Sequence, residues 1–318
     1  MSGDLQQLPW HPPGQGPYRV VFAGGKGGVG RSLVLANIGV YLSRLGREVV
    51  VADLDPGGGN LHTYLGLEPL LPAPGALLRS AGEPLVEQVP GLTLKLCRPP
   101  TLISGGAGDA LRKATLDHAL SLEADVVLLD MGTHGDRLTL DTFLEADAAV
   151  VMVKPEPVGV ERIYAFLRVA LYHLILGADD VAGVVARAVL SADHVGQIQN
   201  PYDLINALGG SHPEAAKALR TKVDGFCPRI MVNQCRTRAD MEMAAGICSA
   251  LKRRWGVMAE NLGHMDYDDA AIHSMRMRRP LMLEYPGSSL GQRIERVSRR
   301  LLVPVSRQRE VRAREVSR

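Results

Sequence analysis

The sequence predicts an α/β protein with a doubly wound, mostly parallel sheet flanked by helices. Short apolar runs recur along the chain, segments of helical period separate them, and a glycine-rich turn follows the first run. A continuous apolar run is typical of a strand buried on both faces, and strand–helix alternation is typical of a parallel sheet. The predicted strands are Val20–Ala23, Val49–Ala52, Val126–Leu129, Ala148–Val153 and Ile230–Val232.

The segments between these strands contain helical patterns. In the first one, Leu33, Ala36 and Val40 share a helix face at positions i, i+3 and i+7. Gly46 is well placed to end this helix, because glycine readily adopts the left-handed conformation found after helix C-termini. Further helices are predicted over Gly159–Leu176 and Arg238–Arg254.

The predicted elements span residues 18–302 and favour a single domain. Residues 1–17 are rich in Pro, Gly and Gln and are predicted to be a flexible N-terminal tail. The segment from Gly66 to Gly91 is proline-rich and predicts loops, and the polar residues 191–226 indicate an insertion with short helices. Residues 303–318 form a basic C-terminal tail.

Composition excludes several classes of protein. The chain has 318 residues, a net charge of +2 from 36 Lys and Arg against 34 Asp and Glu, and 46% hydrophobic residues, typical of a globular protein. No apolar run reaches the ~18 residues that a membrane-spanning helix needs. The N-terminus lacks the features of a secretory signal, so we expect a cytoplasmic protein. The four cysteines contain no CxxC pair and no zinc-spaced set.

The most specific motif is a glycine-rich loop between the first predicted strand and helix. Glycines let backbone N–H groups turn inward around phosphate oxygens, and a helix N-terminus adds a partial positive charge of ~0.5 unit. A hydroxyl at the end of the loop offers a ligand for Mg²⁺. The alternative, a turn that merely permits tight packing, does not account for the two cations in the loop. The loop consists of Gly24, Gly25, Lys26, Gly27, Gly28, Val29, Gly30, Arg31 and Ser32.

Arg31 departs from the general pattern GxxxxGK[ST], in which lysine precedes the hydroxyl residue. Lysine is a compact charge on a flexible stem, whereas the guanidinium is a larger planar fork, so the charge is kept and the geometry changes. One interpretation is that nucleotide binding survives while phosphoryl transfer slows. The other is that arginine is neutral here, because this chain favours arginine over lysine throughout.

The loop from Gly25 to Ser32, with Lys26 early in it, resembles the GKGGVGK[ST] loop of the deviant Walker A ATPases. This family belongs to the SIMIBI class of P-loop NTPases and includes MinD, ParA and FlhG. The resemblance is strong over residues 18–155. It implies a P-loop NTPase domain that binds ATP and Mg²⁺ and forms an ATP-dependent sandwich homodimer, in which Lys26 crosses to the partner's nucleotide and counters charge on the phosphates.

Acidic residues follow two strands at the end of the sheet where α/β proteins bind ligands. The segment from Asp53 to Leu61 is similar to the family's DxDxGxxNL. The resemblance implies that Asp55 orients the attacking water and that Asp53 supports the magnesium shell; the alternative is a simple turn, which Asp-Pro-Gly favours by itself. Asp130 ends an apolar strand, a Walker B pattern whose carboxylate holds Mg²⁺ directly or through water.

Two later segments extend the resemblance. The sequence Lys154-Pro155-Glu156-Pro157 is similar to the family's x-Pro-Glu turn, and with Asn60-Leu61 it favours the MinD/FlhG branch. Asn233, just after the last predicted strand, matches an Asn that reads the adenine edge. An equally good alternative is that Asn233 caps the helix that follows.

The C-terminal segment combines an apolar helix face with a basic tail. The face is predicted to pack on the domain. Residues 291–318 contain nine Arg and three Glu, a net charge of +6, but bulky apolar residues are missing after Pro304. The tail is therefore either solvated or in contact with anionic lipid, nucleic acid or an acidic partner. The residues of the face are Leu290, Ile294, Val297 and Leu301.

We therefore expect a nucleotide-switch ATPase that positions a division, motility or segregation assembly through a protein regulator or cargo. It would be cytoplasmic or peripheral at the membrane or nucleoid. The alternative is an ATP-binding scaffold with little or no hydrolysis, because Arg31 replaces the loop lysine. An iron–sulfur reductase with a similar loop is disfavoured because residues 131–160 contain no Cys, so we expect no iron–sulfur cluster. A dehydrogenase is disfavoured because Lys26 and Ser32 suit a triphosphate with Mg²⁺.

Overall fold

The fold is taken from a computed structural model, which describes residues 16–55, 59–69, 83–100, 108–177, 180–191 and 200–303. These residues form the strands β1 (Tyr18–Ala23), β2 (Val49–Asp53), β3 (Leu85–Gln88), β4 (Leu94–Arg98), β5 (Val126–Asp130), β6 (Ala148–Val153), β7 (Arg229–Cys235) and β8 (Glu260–Asp266). The helices are α1 (Arg31–Arg44), α2 (Leu61–Leu65), α3 (Gly108–Ser121), α4 (Arg137–Leu144), α5 (Pro157–Leu176), α6 (Val181–Ser191), α7 (Pro201–Gly209), α8 (Pro213–Gly225), α9 (Arg238–Trp255), α10 (Ala270–Met277), α11 (Leu281–Glu284) and α12 (Ser289–Leu301).

The strands form one sheet in the order β3-β4-β2-β5-β1-β6-β7-β8. All neighbouring pairs are parallel except β3–β4, which is antiparallel. The predicted doubly wound, mostly parallel sheet is therefore confirmed. Because β1, β5 and β2 are adjacent and parallel, the segments that follow Ala23, Asp130 and Asp53 meet at the carboxyl end of the sheet.

The hydrophobic core lies in two layers, one on each face of the sheet. Val21 and Ala23 of β1 belong to the layer covered by α3 to α9, whereas Val20 and Phe22 belong to the layer covered by α1, α2, α11 and α12. All four side chains are fully buried. Burial on both faces explains why this strand is a continuous apolar run rather than an alternating one.

The predicted strands and helices are present, with bounds that differ by a few residues. Gly46 follows α1 closely and has a φ of 80°, as its proposed stop position requires. Strands β3, β4 and β8 have no counterpart among the predicted strands. β3 lies within the stretch predicted to be loops and sits at the edge of the sheet, where Leu85 is 36% exposed.

The predicted insertion at residues 191–226 contains two short helices, α7 and α8, in its described part. Their apolar faces bury Leu204, Leu208, Leu219 and Val223 in the same layer as α5 and α9. Helix–helix packing thus holds this segment on the domain.

Helix α12 packs on the other layer, and its predicted apolar face is confirmed. Leu290, Ile294, Val297 and Leu301 are all buried there. The predicted terminal tails, 1–17 and 303–318, lie almost entirely outside the described residues. In the described ranges no single helix is long and apolar enough to cross a membrane, although α5 and the first part of α6 meet that criterion together as a pair bent by 116°.

Candidate nucleotide-binding site

The glycine loop joins the end of β1 to the start of α1. Four of its glycines have positive φ angles, a conformation that strains other residues. A Cβ atom on Gly25 would lie 2.8 Å from the Met152 carbonyl oxygen, whereas one on Gly28 would meet nothing within 4 Å. The loop therefore needs glycine for its path and leaves one side open, as a phosphate cradle requires. The four are Gly24 (67°), Gly25 (83°), Gly28 (75°) and Gly30 (86°).

Arg31, the first residue of α1, turns its guanidinium inward toward acidic side chains. Its Nε donates to Asp130 Oδ1 at 2.6 Å and its Nη2 donates to Asp55 Oδ2 at 3.4 Å. Its Nη1 donates to the Gly24 carbonyl oxygen at 3.3 Å. The Arg31 side chain is only 6% exposed. The guanidinium therefore links the glycine loop to Asp55, which follows β2, and to Asp130, which ends β5.

Asp130, the last residue of β5, accepts hydrogen bonds on both carboxylate oxygens. Ser32 Oγ donates to Oδ2 at 2.5 Å, and the Gly132 N–H donates to Oδ1 at 3.3 Å, beside the Arg31 bond. The Asp130 side chain is fully buried. The structure thus brings together the predicted loop residues Ser32 and Arg31 with the predicted Walker B carboxylate.

Asp53 and Asp55 have different surroundings, although they are two residues apart. Asp53 is 5% exposed and accepts hydrogen bonds from the N–H groups of Asp55 at 3.5 Å and Leu61 at 3.4 Å. Burial, with the neighbouring Asp130 carboxylate as the second cause, raises the pKa of Asp53 to about 7. The side chain of Asp55 is 23% exposed, so it is the more accessible carboxylate. Residues 56–58 of this predicted motif lie outside the described residues.

Lys26 lies on the exposed side of the loop. Its Nζ is 3.5 Å from Glu156 Oε2, and the two side chains are 49% and 47% exposed. Glu156 is the N-cap residue of α5, in the predicted x-Pro-Glu turn after β6. The two cations of the loop therefore diverge, because Lys26 reaches outward and Arg31 reaches inward.

Asn233, in β7, contacts the glycine loop. Its Nδ2 donates to the Val29 carbonyl oxygen at 2.6 Å, and the residue is 5% exposed. A Cβ atom on Gly30 would lie 2.5 Å from the same Nδ2, so this contact also requires glycine at that position. The N-cap of α9 is Thr237, whose hydroxyl accepts from the Asp240 N–H, so the alternative in which Asn233 caps α9 is wrong.

The donor set of this site fits a nucleotide with Mg²⁺. Mg²⁺ prefers oxygen ligands and is usually held by one or two carboxylates plus substrate phosphates rather than by an all-protein cage. Ser32 and Asp130 supply such oxygens beside the open loop. No three His, Cys, Asp or Glu side chains in the described part of the chain form a cluster that could hold a metal ion. In a nucleotide complex the phosphates would supply further oxygen ligands to a metal ion here.

Arg112 in α3 is a residue of this region that the motifs do not predict. It is 1% exposed, and its Nε donates at 2.9 Å to the carbonyl oxygen of Leu54, between Asp53 and Asp55. Arg112 could be recognised from its spacing, because it precedes the buried residues Leu116 and Ala119 by four and seven positions and so lies on the same helix face. An arginine within an apolar helix stripe indicates a buried charge that needs partners.

The chain is similar to known nucleotide-binding proteins in sequence and in fold. The family described as the CobQ/CobB/MinD/ParA nucleotide binding domain matches residues 20–255. The chromosome-partitioning ATPase Soj of Thermus thermophilus is 35% identical over 156 residues, which cover 47% of this chain and 59% of Soj. An iron–sulfur cluster carrier protein of Methanocaldococcus jannaschii is 28% identical over 149 residues, 45% of this chain and 51% of that protein. These matches therefore span little more than half of either relative.

A solved structure supports the fold over nearly the whole chain. The MinD cell division protein of Aquifex aeolicus superposes with a TM-score of 0.52 and 19% sequence identity. The superposition covers 89% of this chain and 96% of that one. At this identity the similarity concerns the fold alone.

Proposed function

This chain belongs to the CobQ/CobB/MinD/ParA nucleotide-binding domain family, and we propose that it is a magnesium-dependent ATPase that works as a nucleotide switch. The observation that carries the proposal is the contact of Ser32 with Asp130 beside an open glycine loop. A hydroxyl, a carboxylate and inward-facing N–H groups are the groups that an NTPase uses for a metal-bound triphosphate. The Ser32 hydroxyl, the Asp130 carboxylate and the glycine loop all lie at the carboxyl end of a parallel sheet, where such ligands bind.

In the proposed mechanism, the N–H groups from Gly25 to Ser32 cradle the phosphates, with Asn233 supporting the loop and facing the adenine. Ser32 and Asp130 would hold Mg²⁺, with Asp53 behind them. When bound, Mg²⁺ would neutralise charge on the phosphate oxygens. Asp55, the more exposed carboxylate, orients the attacking water, and Arg31 counters charge at the phosphates.

The proposed switch is an ATP-dependent homodimer in which Lys26 reaches the partner's nucleotide. The exposed pair between Lys26 and Glu156 is consistent with this role, because a pair at 3.5 Å between half-exposed side chains is weak. Such a lysine can leave its partner at little cost. Lys26 would then supply positive charge to a phosphate that its own chain does not bind.

We propose further that the switch positions another cellular assembly through a regulator or cargo protein, in the cytoplasm or at the membrane or nucleoid surface. The names of relatives such as a chromosome-partitioning ATPase support this proposal. The arginine-rich tail, residues 303–318, would provide a weak contact with an anionic surface. We do not expect an iron–sulfur cluster, because Cys97 and Cys235 are buried and the sequence lacks a CxxC pair.

Light scattering coupled to size-exclusion chromatography tests the switch, with Mg·ATP, with Mg·ADP and without nucleotide. We expect a dimer with ATP only, and a Lys26→Ala variant that binds ATP as a monomer. Turnover of ATP should be lost in Asp55→Ala, whose nucleotide binding should be kept. A wild-type protein that stays monomeric while saturated with ATP would contradict the sandwich dimer.

The second candidate is an ATP-binding scaffold with little hydrolysis, which the contacts of Arg31 favour. Arg31 donates to Asp130 and to Asp55, so it occupies the carboxylates assigned to the metal and to the water. Comparison of wild type with Arg31→Lys separates the candidates. Turnover that rises several-fold in Arg31→Lys supports the scaffold, and equal turnover supports the active switch.

A further inference from the structure

Arg112 joins two loops on the side of the site that faces α3. Its Nε donates to the Leu54 carbonyl oxygen at 2.9 Å, its Nη1 to Asp136 Oδ2 at 3.0 Å, and its Nη2 to Thr139 Oγ1 at 3.0 Å. Leu54 belongs to the segment that carries Asp55, and Asp136 ends the loop that begins after Asp130. A single buried guanidinium therefore holds both segments.

The start of α4 fixes the position of Asp136, one of the hydrogen-bond acceptors of Arg112. Asp136 is the N-cap residue, and its Oδ1 accepts from the Thr139 N–H at 2.9 Å. Thr139 Oγ1 also donates to Asp136 Oδ2 at 3.2 Å. Burial by itself would raise the pKa of Asp136, but the Thr139 N–H and the Arg112 guanidinium hold that pKa below its usual value. Arg112 thus faces an ionised carboxylate that α4 keeps in place.

The same two segments also pack directly against each other. A Cβ atom on Gly132 would lie 2.7 Å from Asp55 Oδ1, so the loop after Asp130 passes directly against the Asp55 carboxylate. The segment is therefore held by two contacts, the hydrogen bond from Arg112 to Leu54 and the packing of Gly132 against Asp55. Because the guanidinium is planar and its donors have fixed directions, it transmits a displacement of one segment to the other better than a flexible ammonium would.

We propose that Arg112 is a positioning residue that couples the Leu54–Asp55 segment to the Met131–Asp136 loop, so that both respond together when nucleotide binds. The coupling keeps the Asp55 carboxylate at a fixed position relative to the Asp130 carboxylate. This inference rests on the proposed ATPase function for the role of Asp55, but the mechanical link between the two segments does not depend on turnover. None of the described contacts of Arg112 is with the glycine loop.

Hydrogen–deuterium exchange measured by mass spectrometry tests the link in the full chain, with and without Mg·ADP. The variants are Arg112→Met, and Arg112→Lys, which keeps the charge and loses the fork. Lys113→Met is the matched control, because Lys113 is adjacent on α3 and 58% exposed. We expect faster exchange in both segments in Arg112→Met, an intermediate effect in Arg112→Lys and none in Lys113→Met. Adding Mg·ADP should protect both segments in wild type and only the Met131–Asp136 loop in Arg112→Met.

Steady-state kinetics separates positioning from a loss of folding. The ATP concentration at half-saturation should stay within about twofold, while kcat falls on the order of tenfold to a hundredfold, as expected for a misplaced catalytic group. Wild-type exchange in both segments of Arg112→Met, or a loss of affinity with unchanged kcat, would overturn the proposal. If the wild type shows no turnover, the ATPase proposal fails and the exchange experiment alone decides on the link. If Arg112→Met does not fold, Arg112→Lys and Asp136→Asn provide the same comparison.

Discussion

The two ends of the sheet each bury an arginine against a carboxylate, but the balance of charge differs. At the carboxyl end, Arg31 contacts the carboxylates of Asp55 and Asp130, and the Asp53 carboxyl lies beside Asp130, so carboxyl groups outnumber the buried cation. At the amino end, Arg229 lies 3.1 Å and Arg300 lies 3.2 Å from the carboxylate of Glu260, so positive charge is in excess.

The excess positive charge at the amino end is stabilised by hydrogen bonds to backbone carbonyl oxygens of the same chain. Arg229 Nη1 and Nη2 donate to the carbonyl oxygens of Leu301 at 2.8 Å and Val303 at 2.6 Å, and the Tyr18 hydroxyl donates to Leu301 O at 3.1 Å. Carbonyl groups at a helix C-terminus have no partner inside the helix, so Arg229 completes the end of α12. A buried arginine–carboxylate pair is therefore structural where other protein groups complete its hydrogen bonds, and it is available to a ligand where they do not.

The largest effect we expect is on stability, in Arg229→Met. The substitution leaves Glu260 buried with one cation fewer and removes the Arg229 donors from the carbonyl oxygens of Leu301 and Val303. Breaking a buried ion pair costs about 3–5 kcal/mol, so the free energy of unfolding in urea should fall by about that amount. Arg238→Met is the control, because this arginine is 91% exposed and its pair with Glu242 should contribute below about 1 kcal/mol. Similar small losses in both variants would contradict a structural role for the amino end.

A smaller and conditional effect is expected for Arg31→Met. Without metal, Asp130 loses the Arg31 donor but keeps those of Ser32 and Gly132, so the free energy of unfolding should fall by only about 1–3 kcal/mol. Added Mg²⁺ should recover part of this loss, because the freed carboxylates of Asp130 and Asp55 offer the oxygen ligands that Mg²⁺ prefers. Urea unfolding in EDTA and in Mg²⁺ measures the recovery, and Arg229→Met should show none. An equal effect of Mg²⁺ on wild type and Arg31→Met would remove the distinction between the two ends.

Sequence patterns predict the carboxyl end of the sheet better than the amino end. The strands that lead into the site, β1, β2 and β5, are continuous apolar runs. The loop after β1 follows a local motif, so Lys26, Arg31 and Ser32 can be identified without a structure. The partner of Arg31 could not be identified in this way, because Arg31 and Asp130 are 99 residues apart and meet only through the pairing of β1 with β5. A local motif specifies a residue type, and the sheet decides what that residue contacts.

The amino end lacks such signals. β8 is an edge strand, and its sequence, ENLGHMD, has too few apolar residues to be predicted as a strand. Its first residue, Glu260, instead contacts α12 through Arg300 at 3.2 Å. Arg229 and Arg112 were not predicted for a similar reason, because each belongs to no motif and takes its role from distant partners.

The smallest effect on the free energy of unfolding is expected for two exposed ion pairs, one beside the glycine loop and one on α12. Glu156 lies 3.5 Å from Lys26 beside the glycine loop, and Glu295 pairs with Arg299 on α12 at 2.6 Å. The side chains are between 43% and 49% exposed, so Glu156→Gln and Glu295→Gln should each change the free energy of unfolding by no more than about 0.5 kcal/mol.

The two variants should differ in assembly, although they agree in stability. If Lys26 acts across a dimer, the wild-type protein must break the Lys26–Glu156 pair when it dimerises. Glu156→Gln removes that pair from the monomer, so dimerisation no longer has to break it and becomes more favourable. An ion pair of about 0.5 kcal/mol corresponds to about a twofold lower dissociation constant of the ATP-bound dimer, measured by sedimentation at several protein concentrations. Glu295→Gln should leave that constant unchanged. Equal constants in all three proteins would mean that Lys26 gains nothing from leaving Glu156, and the carboxyl end would then resemble the amino end in having its surface charges satisfied within one chain.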